Sequence, residues 1–518
     1  MPTMLLVTHG TDGDVLPFVR LGAELRAGGH EVTLITHAHY GPHAGRAGLG
    51  FVPIDTAAEF ERTLADTPDL LGGLGWQEFY ERNGLYGQME LEFAAMAARY
   101  RAGETVLVGR HTSALSVLFA AEALGAPAAW VAVAPIQIMA ERAALHAYRH
   151  LLWEGIAGVR RRLGLAPIED WDAWFSSAAL HLGLWPRWFD RAGTRSPARV
   201  RLTGFPLPDE GPDEPLPPAA EEVLSGPVAP VLVTGGTGRM LHGRFYTAAV
   251  EGARQAGRPV LLVVRHRDLV PDPLPPGVTW FPRLPFHAVM PRVAAVVHHG
   301  GIGTLSRALR AGAPQIILAH GVDRPDNAER LHRHSLATWL PAPRWTPEEV
   351  APLIKSATAQ GTRPPDLTQP DGPDADPLAT DVMQPGTVRP DGGPGGTVQP
   401  DGGQPGGEHS GGTQTGGTQT GGAHEDGVRR AAWLISSLAV APPDFAPDDD
   451  AGLTSPTGNI TADTGSEAVA LAPAGVAAER KEGATAVEAA RRQLGRLSAA
   501  QRQAVAERLR GRLSGREA

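Results

Sequence analysis

Met4-Leu5-Leu6-Val7-Thr8-His9-Gly10-Thr11-Asp12-Gly13-Asp14 reads as a short apolar strand that ends in a glycine-rich turn. Val15, Phe18, Leu21, Gly22 and Leu25 follow on one helical face, and Gly28-Gly29 closes that helix. Glu31-Val-Thr-Leu-Ile-Thr36 is a second strand. Strand, glycine turn, helix and strand in this order make a βαβ unit. The signal recurs in Thr105–Val108, Ala128–Val133, Pro230–Thr234, Val260–Val264, Ala294–His298 and Gln315–Leu318. Continuous apolar runs of this kind suit parallel strands buried on both faces. Two sets of them flank a proline-rich joint from Phe205 to Pro218. The expected fold class is α/β, with two doubly wound, Rossmann-like domains facing each other across a cleft.

Composition narrows the function. The chain has 518 residues, enough for two or three folding units, and 42% of them are hydrophobic. Its net charge of −9 argues against nucleic-acid partners. The absence of cysteine excludes disulfides, thiol catalysis, thiolate zinc sites and iron–sulfur clusters. No apolar run approaches the roughly 18 residues a bilayer span needs. Met1-Pro2-Thr3 lacks the basic flank of a signal peptide, so a cytoplasmic protein is expected.

The 63 glycines and 47 prolines are unevenly spread. Gly361 to Glu425 holds 17 glycines and 10 prolines in 65 residues without an aromatic ring, a composition that cannot bury enough apolar surface to offset chain entropy. The expected organisation is a first domain at 1–205, a linker at 206–227 and a second domain at 228–358. A disordered Gly/Pro-rich insert follows at 359–425, then a closing helix of the second domain at 426–440. A flexible linker at 441–478 leads to a helical tail at 479–518. The tail carries ten Lys and Arg against five acids. It reads as a solvated helix, as a docking element for a protein, or as a weak contact for an anionic membrane.

Three stretches carry a family resemblance. Gly10-Thr-Asp-Gly-Asp-Val-Leu-Pro17 is similar to a Gly-Ser/Thr-Arg-Gly-Asp-Val-x-Pro turn, and Val231-Leu-Val-Thr-Gly-Gly-Thr-Gly238 to the turn that opens a donor domain. His298-His-Gly-Gly-Ile-Gly-Thr304, Ala311-Gly-Ala-Pro-Gln315 and His320-Gly-Val-Asp-Arg-Pro-Asp-Asn-Ala328 resemble a donor-binding signature. In this order they resemble the GT-B-fold glycosyltransferases that act on sterols, macrolides, glycopeptides and flavonoids. The resemblance implies an N-terminal acceptor domain, a C-terminal nucleotide-sugar domain and an inverting hexosyltransferase. Its partners would be a UDP- or dTDP-hexose donor and a hydroxylated, bulky apolar acceptor, and it would need no metal or other cofactor.

Sugar transfer to an alcohol needs a general base at the acceptor hydroxyl and positive field at the departing diphosphate. Asp14, at the C-terminal end of the first strand, matches the family base; as a residue it is equally an N-cap of the helix it opens. Gly109-Arg110-His111 after the Thr105–Val108 strand contains no carboxylate, which suits an aspartate that works without an orienting partner. His9 reads as a turn histidine contacting backbone, and His298 as a packed core histidine. By resemblance, His299, Gly301, Gly303, Thr304 and Thr237 hold the diphosphate, and Asp323 holds sugar hydroxyls. Trp280 matches the ring that stacks on the nucleobase, and a core tryptophan is the alternative. Two positions depart from the pattern: Arg324 stands where relatives have glutamine, and Arg307 where some have a ribose-binding acid.

Trp76, Trp130, Trp153, Trp171, Trp174, Trp185 and Trp188 crowd the first half, and Met139 to Trp188 should form helices over the acceptor. They favour a bulky apolar acceptor, although helix packing accounts for most of them equally well. Two other readings share the fold: a sugar-nucleotide 2-epimerase, and a non-catalytic partner of another transferase.

Overall fold

The computed structural model describes residues 1–72, 75–190, 199–206, 215–237, 241, 243–321, 323–360 and 427–439. The insert, the second linker and the basic tail therefore lie outside the described residues. Among the described residues there are two parallel sheets. The first contains β1 (Thr3–Val7), β2 (Glu31–Thr36), β3 (Gly50–Pro53), β4 (Thr105–Arg110), β5 (Ala128–Ala132), β6 (Leu180–Gly183) and β7 (Val200–Leu202), in the order β3-β2-β1-β4-β5-β6-β7. The second contains β8 (Val231–Thr234), β9 (Val260–Val263), β10 (Val278–Phe281), β11 (Ala295–His298), β12 (Gln315–Ala319) and β13 (Thr338–Pro341), in the order β10-β9-β8-β11-β12-β13.

In each sheet the order reverses beside the first strand, at β1/β4 and at β8/β11. Ligands of open α/β sheets bind outside the carboxyl ends of strands at such a switch point. The paired strands keep the registers Val7↔Gly109 and His298↔Thr234, so the turns after β1 and β4 start side by side, as do those after β8 and β11. Alternation along the central strands sends side chains to both faces, and β1 divides Leu5 and Val7 from Met4 and Leu6. A mixed cluster closes the seam between the sheets. Ala132, Ile138 and Trp185 of the first half pack with Ile302, Leu305, Ile317 and Leu331 of the second.

Two boundaries differ from expectation. Pro218–Leu224, assigned to the linker, is a helix that buries Ala220 and Leu224 against Leu232 and Val296 of the second sheet. The other is the closing helix. Gly427–Ser437 packs against the first domain, where Val428, Leu434 and Ile435 join Leu21, Leu25 and Val32. Its apolar residues repeat at helical spacing, which shows that a face is buried but not which sheet receives it. No helix among the described residues is long and apolar enough to cross a membrane.

Candidate active site

The turn after β1 is held from three sides. The Gly10 N–H donates to His37 Nε2 at 3.0 Å, and His37 Nδ1 pairs with Asp55 Oδ2 at 2.6 Å. Thr11 caps the helix Asp12–Ala27 in a capping box whose returning acid is Asp14. The Thr11 N–H donates to Asp14 Oδ2 at 3.0 Å. Gly10 has φ +110°, and a Cβ there would overlap the Asp14 carboxylate, so only glycine fits. The N-cap is thus Thr11 and not Asp14, which closes the capping box from the third helical position.

Asp14 does have an orienting partner. Arg110 Nη2 forms an ion pair with Asp14 Oδ1 at 2.7 Å. The stretch after β4 offers no carboxylate, as expected, but it does offer a cation. His9 also differs from its expected backbone contact. Its Nε2 meets Glu92 Oε1 at 2.6 Å, and the other oxygen of this buried glutamate accepts from Ser116 Oγ at 2.5 Å. Glu92 lies on the amphipathic helix Leu85–Ala97 between Met89 and Phe93, where sequence periodicity marks an inward position but not a catalytic one.

On the opposite side, the helix Ile302–Arg310 has Gly301 as its N-cap residue. The Thr304 and Leu305 N–H groups both reach the Gly301 carbonyl at 3.0 Å. The Ile302 and Gly303 amides lie ahead of that ladder, and Gly301 offers no side-chain cap, so the terminus can receive an anion. His299 is buried between the two glycine turns. Cβ atoms at Gly236 and Gly301 would come within 2.7 and 2.5 Å of its ring. Its Nδ1 has no hydrogen-bond partner among the described residues. Burial, then the Arg324 charge, hold it well below the usual histidine range, so it is a neutral imidazole.

His298 is the packed histidine expected: Nε2 meets Gln315 Oε1 at 3.0 Å and the Gly300 N–H donates to Nδ1 at 3.1 Å. Thr304 is buried in the first turn of its helix. The Thr237 carbonyl meets His266 Nε2 at 3.1 Å. Trp280 donates from Nε1 to the Val264 carbonyl at 2.9 Å, and the Arg267 guanidinium stands 5.4 Å from its ring centroid. That ring also packs against the core of the second sheet.

Asp323 caps the helix Arg324–Arg333 and accepts from Asn327 Nδ2 at 3.3 Å. Burial raises its carboxyl, Arg324 opposes the rise, and the charge of Asp14 from the first domain reinforces it. Arg307 Nη1 folds back on the Gly303 carbonyl at 2.6 Å, and its charge is felt with that of Asp12 across the seam. Arg265 of the second domain meets His39 of the first at 3.1 Å. Most tryptophans of the first half are structural: Trp130 and Trp185 are fully buried, and Trp174 stacks on Phe119. Trp76 and Trp153 are exposed.

The buried histidines give a pH prediction. Burial pushes His298 and His181 down to about 4. Each regains its ordinary value of about 6.5 on unfolding, so the unfolded chain binds more protons between those limits. Stability should fall as pH drops through that window, by about 1.4 kcal/mol per pH unit for each fully responding histidine. Urea midpoints at pH 7.5 and 5.5 should show the fall, and His298→Gln should reduce it. An unchanged pH slope in that variant counts against the argument.

Two parallel α/β sheets meeting with their glycine turns at one seam define a two-domain transferase architecture with a separate site on each domain. Comparison with known proteins agrees. The family model for the glycosyltransferase family 28 N-terminal domain matches residues 4–129. That for the erythromycin biosynthesis protein CIII-like C-terminal domain matches 260–381. The O-mycaminosyltylonolide 6-deoxyallosyltransferase of Streptomyces fradiae is 30% identical over 406 residues, covering 68% of this chain and 89% of that protein. The sterol 3-beta-glucosyltransferase of Candida albicans is 26% identical over 60% of this chain and 23% of its own length. The solved glycotransferase of kitacinnamycin shares the fold at a TM-score of 0.53 and 20% identity, covering 69% of this chain and 91% of its own. The chain belongs to the GT-B glycosyltransferases, and it is a hexosyltransferase.

Proposed function

We propose that this chain moves a hexose from a UDP- or dTDP-sugar to a hydroxyl of a bulky apolar acceptor, with inversion at the anomeric carbon. The observation that carries the reading is the packing of the two halves, where Ala132 and Trp185 of the first meet Ile302 and Leu305 of the helix that follows His299, and Arg265 meets His39 at 3.1 Å. Asp14 takes the acceptor proton while the acceptor oxygen bonds to the anomeric carbon and the carbon–oxygen bond to the diphosphate breaks. The Ile302 and Gly303 amides, with His299 and Thr304, receive the diphosphate; Thr237 approaches it from the facing turn. Arg307 and Arg324 add the positive field that the leaving group requires, so the proposed reaction calls for no metal or cofactor. Asp323 holds sugar hydroxyls, and Trp280 supports the nucleobase. The relatives, one an O-mycaminosyltylonolide 6-deoxyallosyltransferase and one a sterol 3-beta-glucosyltransferase, support a bulky acceptor.

A second base is favoured by one observation. His9 turns Nε2 to the buried Glu92, which leaves Nδ1 on the opposite edge of the ring, the arrangement of a carboxylate-backed imidazole base. Activity that survives Asp14→Asn and is lost in His9→Asn would select it.

The test is a calorimetric screen of UDP and dTDP, followed by mass-spectrometric detection of hexose on macrolide, sterol and flavonoid acceptors. One nucleotide should bind, and its sugar should transfer only when an acceptor is present. Binding without turnover on any acceptor would instead mark a non-catalytic partner, and donor conversion without acceptor an epimerase.

A further inference from the structure

Arg110 is the last residue of β4, and its side chain is spent on two contacts. Nη2 forms an ion pair with Asp14 Oδ1 at 2.7 Å, and Nη1 donates to Ser113 Oγ at 3.1 Å. The other Asp14 oxygen accepts the Thr11 amide at 3.0 Å. Fixed partners on different oxygens restrict rotation of the carboxylate about its last torsion, which is otherwise broad. Oδ2 also accepts from the Thr11 hydroxyl at 3.5 Å, so Oδ1 is the oxygen that keeps a lone pair for an acceptor hydroxyl.

The backbone that presents Arg110 is held in an unusual way. Thr112 has φ 64°, a left-handed conformation that is a true outlier for a β-branched residue. The Tyr148 hydroxyl donates to the Thr112 carbonyl, the Thr112 hydroxyl donates to the His111 carbonyl at 2.7 Å, and the Ala114 amide returns to the Arg110 carbonyl at 3.0 Å. A surface ion pair contributes about 0–1 kcal/mol and needs no such turn. Strain persists where surrounding structure overrides it, and it concentrates at sites with a positional requirement. Here it sits two residues from the guanidinium that pairs with Asp14.

We propose that Arg110 is a positioning residue of the transfer reaction, fixing the Asp14 carboxylate toward the acceptor hydroxyl. The proposal rests on the reading of Asp14 as base. Arg110 neither gives nor takes a proton. It acts by keeping Asp14 in one orientation, and a misplacement of about 1 Å at a reacting group can cost about 10²-fold in rate.

The experiment uses the full chain with dTDP-glucose and UDP-glucose as donors and a macrolide aglycone as acceptor. Arg110→Met should lower kcat about 10²-fold and leave the donor KM within about threefold. Arg110→Lys should recover most of the loss, which a purely packing role would not predict. In an Asp14→Asn background, Arg110→Met should add little, since residues acting as a unit are not additive. Arg110→Gln, which keeps a donor for Ser113, carries the same expectation as methionine if that variant fails to fold. A kcat within twofold of the unaltered chain in Arg110→Met, or in Arg110→Gln where it replaces that variant, overturns the proposal. So does a full additional loss on top of Asp14→Asn. If Asp14→Asn itself stays active, the base reading has failed; if it is inactive while the Arg110 variants are normal, only the positioning role has failed.

Discussion

Asp14→Asn should lower turnover by about 10²–10⁴-fold, the usual contribution of a general base, while nucleotide affinity stays near that of the unaltered chain. The asparagine test is clean because the two roles of Asp14 can be separated. In the capping box, it accepts the Thr11 amide through Oδ2. An asparagine carbonyl oxygen accepts the same bond. What it cannot do is take a proton or form an ion pair with Arg110. Asp14→Ala removes the returning half of the capping box as well, one hydrogen bond worth about 0.5–1.5 kcal/mol. The comparison therefore reads catalysis in kcat and capping in the melting temperature. Donor affinity measured by calorimetry should be nearly constant across the three proteins, since Asp14 lies on the first domain and the proposed donor-binding groups on the second. Near-normal turnover in Asp14→Asn would remove the base assignment and direct attention to His9 and Glu92.

The central strands and both glycine turns were legible in the sequence because they are buried on both faces, and burial writes continuous apolar runs. The strands that escaped are mostly at sheet edges. Gly50–Pro53, Val278–Phe281 and Thr338–Pro341 are four residues each and mix Gly, Pro, Thr and Trp. An edge strand needs only one covered side and tolerates such residues. The candidate residues on the glycine turns were legible for a related reason: their close neighbours must be glycine, as Gly10 is against Asp14 and Gly301 against His299. Arg110 and Glu92 were not. Neither sits in a distinctive motif, and what makes them candidates is a partner far away in sequence, Asp14 for one and His9 for the other. Pairings of that kind depend on how β1 and β4 lie side by side and how the helix Leu85–Ala97 packs beneath them.

The helix Gly427–Ser437 carries the last large effect. Its sequence promises a buried face but names no partner, and the structure gives that face to the first domain. Val428 and Ile435 are fully buried and Leu434 nearly so, against Leu21, Leu25 and Val32. Polar contacts fix the seat: the Gly427 amide donates to the Phe205 carbonyl at 3.2 Å, and His30 Nε2 meets Ser436 Oγ at 2.8 Å. A Cβ at Gly427 would overlap the Gly204 carbonyl, so the close approach requires glycine. Burying each large aliphatic side chain contributes about 1.5–3 kcal/mol, so losing three of them removes a large part of a stability of about 5–15 kcal/mol. A chain ending at residue 426 should therefore melt far below the full chain or fail to fold, and its damage should fall on the first domain. A chain ending at residue 440 keeps the helix, and it should retain both the melting temperature and transfer to a freely soluble acceptor. Ile435→Ala in the full chain should cost about 2–5 kcal/mol by the same account. Equal melting temperatures for the 426 and 440 truncations would show that the first sheet closes its core without this helix. Loss of activity in the 440 truncation with every acceptor would place part of the catalytic unit beyond the helix.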